Sequence, residues 1–85
     1  MSLFPMGQLV ATPGVLALGV DFRPLLGRHL RGDWGDCSQD DREANDRDIH
    51  GGGRLFSAYE TPKGRVWIIT EADRSSTCVL LPEDY

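Results

Sequence analysis

Apolar residues in this chain come in short runs, and the spacing within those runs changes along its length. Gly7-Gln-Leu-Val-Ala is a brief apolar run ahead of a helix start and predicts a strand. Thr12-Pro13 then reads as an N-cap with proline at the first helical position. Val15, Leu16 and Leu18 give that helix its apolar side, and Gly19 suits a left-handed stop. Asp21 is a second candidate N-cap, and Pro24, tolerated only in a first turn, starts the next helix near Phe22. Phe22, Leu25, Leu26 and Leu30 recur at helical spacing and define one buried stripe; Gly27 lies inside it and Gly32 ends it.

Asp33-Trp-Gly-Asp-Cys is a loop by composition. Ser38, with Asp41 three residues on, resembles a capping box and opens a third helix. Glu43 and Arg47 stand in the favourable i,i+4 order. Only Ala44 and Ile49 are apolar, so the helix is expected to dock weakly and to end at Gly51-Gly-Gly. Strands follow over Arg54–Glu60, Arg65–Glu71 and Thr77–Leu81, separated by turns at Thr61-Pro-Lys-Gly and Ala72-Asp-Arg-Ser. In the middle strand Val66 and Ile68 point one way and Trp67 and Ile69 the other, the pattern of a central strand covered on both sides. The expected fold is a single α+β domain over residues 1–85. It has a small antiparallel sheet of three to four strands, built on a C-terminal meander, with two or three helices packed on one face.

Size and charge narrow the functional classes. Eighty-five residues hold one core, and self-association would add burial that so short a chain lacks. A net charge of −4 argues against a general phosphate-binding role, so nucleic acid is not the expected partner. Acidic residues concentrate at Asp33, Asp36, Asp40, Asp41, Glu43, Asp46 and Asp48. Neither a signal peptide nor a membrane-length apolar run is present, so the expectation is a cytoplasmic protein. Cys37 and Cys78 form no CxxC and read as reduced thiols.

Candidate chemistry is sparse. His29, Cys37, His50 and Cys78 lack the close pairing of zinc ligands, and the acidic loop breaks the calcium-loop pattern, so no metal or cofactor is expected. A small nuclease or other hydrolase could draw on His29 as base, with Glu71 and Arg74 beside it. The stronger reading is a non-enzymatic interaction protein meeting a protein partner. Its expected surface is Asp33, Trp34 and Asp36 from the loop together with Glu71, Asp73 and Arg74 from the hairpin tip. Trp34 would be an aromatic anchor, although its plainer role is to lock the loop onto the helix stripe.

Several segments taken together point to a family. Phe4-Pro-Met-Gly-Gln-Leu-Val-Ala-Thr-Pro-Gly, Leu26-Gly-Arg-His-Leu-Arg-Gly-Asp-Trp-Gly-Asp, Leu55-Phe-Ser-Ala-Tyr, Trp67-Ile-Ile-Thr-Glu-Ala-Asp-Arg-Ser and Leu80-Leu-Pro-Glu-Asp-Tyr span nearly the whole chain. The sequence resembles a family of short bacterial proteins labelled plasmid-related, carried on plasmids, integrative elements and similar mobile DNA. That resemblance implies a cytoplasmic accessory protein and carries over no catalytic residue. The chain departs from the family at Gly51-Gly-Gly and at Cys37 and Cys78. An antirestriction factor, binding a DNA-handling enzyme through the acidic helix, is a further expectation.

Overall fold

A computed structural model describes residues 2–85. Strand β1 (Gln8–Ala11) leads into α1 (Pro13–Leu18), α2 (Arg23–Leu30) and α3 (Gln39–Gly51); β2 (Leu55–Thr61), β3 (Gly64–Thr70) and β4 (Ser76–Leu80) follow, then a short 3-10 turn over Pro82–Asp84. The local signals act as the sequence suggests. The Thr12 hydroxyl accepts the Val15 amide at the start of α1, the Ser38 hydroxyl accepts the Asp41 amide at the start of α3, and Gly19 and Gly52 close these helices in the left-handed conformation. At α2 the capping residue is Phe22, which offers no side-chain acceptor; the Asp21 carboxylate instead accepts the Arg23 amide from one position earlier.

The sheet has the order β1-β4-β3-β2. Its C-terminal three strands form the expected antiparallel meander, with Ser57 opposite Ile68 and Ile68 opposite Val79. The expectation of a wholly antiparallel sheet is corrected at β1, which runs parallel to β4 with Gln8 beside Ser76 and Ala11 beside Val79. The physical reason is the length of the connection. Two helices, a third helix and a hairpin lie between β1 and β4, so β1 is not tied to its neighbour by a tight turn.

Period-2 alternation sorts the strand residues into two faces. Leu55, Ser57, Tyr59, Val66, Ile68, Thr70, Thr77 and Val79 share one face, and none is more than 1% exposed. Val15 and Leu18 of α1, with Phe22, Leu25 and Leu26, pack on it beside Tyr59, Val66, Ile68 and Val79. A second cluster joins Phe4, Trp34, Cys37, Leu55 and Ala58, with Leu30 and Ile49 against it. Helices α1 and α2 lie on the buried face, and α3 reaches its margin through Ile49. Helix α3 runs beside β2, where Asn45 exchanges hydrogen bonds with both backbone groups of Phe56 at 2.7 and 3.1 Å. The opposite face of the sheet carries Phe56, Trp67, Ile69, Cys78 and Leu80; the C-terminal turn and Tyr85 lean over it, and Phe56 and Trp67 also touch the second cluster.

Candidate functional site

The loop before α3 is built into the sheet. Gly35 forms an isolated parallel bridge with Ala58, whose carbonyl accepts the Asp36 amide at 2.7 Å while its amide donates to the Trp34 carbonyl. Gly35 has φ +74, and a Cβ there would sit 2.2 Å from the Ala58 carbonyl oxygen, so only glycine fits this crossing. Asp36 accepts the Glu60 amide. Asp33 is gripped by both ends of the Arg28 guanidinium, at 2.7 and 3.3 Å, and that bonding holds its carboxyl below the usual range. Its carbonyl accepts the Tyr59 hydroxyl. Burial lifts the Tyr59 phenol to about 12, so it stays a donor.

Trp34 is 4% exposed. It stacks on Phe4 at 6.3 Å and meets His29 edge-on at 5.5 Å, while its indole N–H donates to Asp46 on α3. Its role is therefore to bind loop, α2 and α3 together.

The hairpin tip is organised by Arg74, which has φ +62. Its guanidinium donates to the carbonyls of Gly53, Glu71 and Ala72 through Nη1 and to that of Asp48 through Nη2. Its charge also lies 5.8 Å from the centre of the Phe4 ring. One side chain thus fixes the tip, the end of α3 and the entry to β2. Glu71 pairs with Arg54 at 3.1 Å, not with Arg74. Asp73 accepts the Ser75 amide in a local turn, and bonding to Ser75 lowers its carboxyl. Of the six expected surface residues, the structure brings Trp34 and Arg74 together around Phe4. It does not bring Asp36 to the tip: Asp36 sits by Glu60, at the other end of β2 from Leu55, which pairs with Thr70.

His29 is enclosed. Its Nδ1 is bonded to Ser57 Oγ, and its Nε2 lies 2.9 Å from Thr70 Oγ1, which is 2.8 Å from Thr77 Oγ1. Proton counting orders this row. Thr77 gives its one hydroxyl proton to the Met6 carbonyl, so it accepts from Thr70; Thr70 then accepts from His29 Nε2–H, and the bare Nδ1 accepts from Ser57. Burial pushes the imidazole down to about 4. Both ring nitrogens are used and no surface is open, whereas a general base must reach a substrate proton. The Cys37 thiol donates to the Trp34 and Phe56 carbonyls, and burial raises its pKa, which makes it unreactive. Among the described residues, no group of three or more His, Cys, Asp or Glu side chains gathers as a metal site would require.

The less covered sheet face was not singled out from sequence. Arg54, Phe56, Trp67, Ile69 and Tyr85 line a hollow of about 220 Å³ there. Phe56 meets Trp67 edge-on at 5.0 Å, and Tyr85 meets Trp67 at 5.9 Å. Arg54 at the rim bonds both the Tyr85 hydroxyl and Glu71. The Trp67 indole nitrogen is buried and has no hydrogen-bond partner among the described residues. The available signal was Trp67 itself, a large ring on the second face of a central strand with no helix left to cover it. No helix among the described residues is long and apolar enough to cross a membrane. Compared with known protein families, curated proteins and solved structures, the chain matches none.

Proposed function

We propose that this chain is a non-enzymatic interaction protein, a cytoplasmic accessory of bacterial mobile DNA, and that it meets a protein partner through the sheet face bare of long helices. The observation that carries the reading is the Phe56–Trp67–Tyr85 cluster around its hollow, with Arg54 at the rim. Trp, Tyr and Arg are the side chains that dominate binding energy at protein interfaces. Glu71 from the expected surface reaches this rim through Arg54. Trp34 and Arg74 act behind it as scaffold. The placement on mobile DNA and in the cytoplasm rests on the sequence resemblance.

Affinity capture from the host tests the reading. Trp67→Ala and Phe56→Ala should lose at least tenfold in recovered partner, with Asp36→Asn and Asp73→Asn retaining it. Equal recovery by a folded Trp67→Ala variant would overturn it. One observation favours the antirestriction reading: Asp40, Asp41, Glu43 and Asp46 are all exposed along α3. Partner binding that vanishes at moderate salt and survives Trp67→Ala would support that version instead. The hydrolase reading has the enclosed His29 against it.

A further inference from the structure

The two edges of the sheet are treated differently. On the β2 side, Phe56 exchanges bonds with Asn45, Ala58 with Trp34 and Asp36, and the Glu60 amide is held by Asp36. That edge is sealed. On the other side, no strand lies beyond β1 among the described residues. Parity decides which groups face outward. The Gln8 amide donates to Ser75 and the Thr12 amide to Val79, so even-numbered residues turn their backbone groups toward β4. Leu9 and Ala11 therefore turn theirs away from the sheet. Leu9 and Val10 are also 39% and 43% exposed, and no charge or proline within Gln8–Ala11 blunts the edge.

We propose that β1 is the contact through which two copies of this chain pair, antiparallel, about a two-fold axis at Val10. In that register Leu9 faces Ala11 of the second copy and Ala11 faces its Leu9, each pair exchanging both N–H···O bonds. Val10 meets Val10 as the closer, non-hydrogen-bonded pair. Centring the axis on Leu9 would keep fewer bonds, because Gly7, at φ +66, has left the extended backbone. The axis stands perpendicular to the sheet, so α1 and α2 of both copies lie on one side of a continuous sheet.

Backbone phase permits self-pairing, and charge favours a second copy as the occupant. The hydrogen-bonding phase of Gln8–Ala11 is its own complement, as an isologous contact requires. The seam carries no charge, and the acidic helix α3 lies along the opposite edge, so two chains of net charge −4 would meet with their acidic helices at the far ends. The inference concerns the edge of the sheet and stands apart from the reading of its face.

Sedimentation equilibrium of the full chain over a concentration series should show a species of twice the 9.4 kDa chain mass. Val10→Lys and Ala11→Pro should each return it to the chain mass with unchanged far-ultraviolet circular dichroism. Ala11→Pro removes an outward amide beside a core contact, so the unchanged circular dichroism and the exposed Val10→Lys change together separate loss of the dimer from loss of the fold. Val10→Cys, placed in a Cys78→Ser background because Cys78 is the neighbour of position 10 in the native register, should cross-link to a disulfide dimer under mild oxidation. A single-chain mass at every concentration overturns the proposal. So does a dimer that survives both substitutions, or a monomer that pairs β1 only with a strand of different sequence.

Discussion

His29 shows how a residue that invites a catalytic reading can be spent on holding strands together. Its two nitrogens tie α2 to Ser57 on β2 and Thr70 on β3, and the row continues through Thr77 on β4 to the chain before β1. The folded imidazole stays neutral down to about pH 4, whereas an unfolded histidine takes its proton near 6.5. Above 6.5 both states are neutral and the contribution is intact. As pH falls from 6.5 toward 4, the unfolded chain binds a proton that the folded chain refuses. Stability should then drop, by roughly 3 kcal/mol in all at about 1.4 kcal/mol per pH unit. Urea unfolding at a series of pH values measures this, and His29→Gln should flatten the slope in that window while lowering stability at pH 7. Arg74 is the second such residue. Arg74→Ala removes the donor to several carbonyls and keeps the left-handed backbone, for an expected loss of about 2–3 kcal/mol. Arg74→Gly should cost roughly 1 kcal/mol less, because glycine adopts that backbone freely. Neither role was legible in sequence, since a histidine or an arginine reads the same whether it faces solvent or the protein's own polar groups.

Among the elements, the hairpins and helix boundaries were readable and the docking of α3 was not. Turn chemistry at Thr61–Gly64 and the caps at Thr12 and Ser38 are local, so a few residues determine them. Helix α3 has little apolar surface and looked loosely held. It is held by polar groups instead: Asn45 replaces a strand for Phe56, Asp46 takes the Trp34 indole, and the Asp48 carbonyl takes Arg74. The expected Glu43–Arg47 pair is not among the ion pairs of the described residues; Glu43 accepts from Gln39. Asn45 is 3% exposed, so Asn45→Ala should strand the Phe56 amide and leave the Phe56 carbonyl only the weak Cys37 thiol, at a cost of about 2 kcal/mol. Chemical denaturation reads the loss, and faster amide hydrogen exchange at Phe56 locates it. Asn45→Asp should be no rescue, because it keeps the acceptor for the Phe56 amide and sets a carboxylate against the Phe56 carbonyl.

For the whole molecule, sequence placed the α+β class and the C-terminal meander, and missed the direction of β1. Parallel and antiparallel strands share the same period, so alternation cannot tell them apart. Nor could sequence show that the helices would be used up on one face and one edge, leaving Trp67 and Phe56 on the other. That outcome depends on where α3 lands, which the Asn45 contacts decide. The parallel placement of β1 has a consequence in time. Gln8 rests beside Ser76, so during synthesis β1 has no strand neighbour until β2, β3 and β4 have all been made. Throughout that interval Leu9, Val10 and Ala11 wait unpaired, and β4 carries the slot that finally receives them.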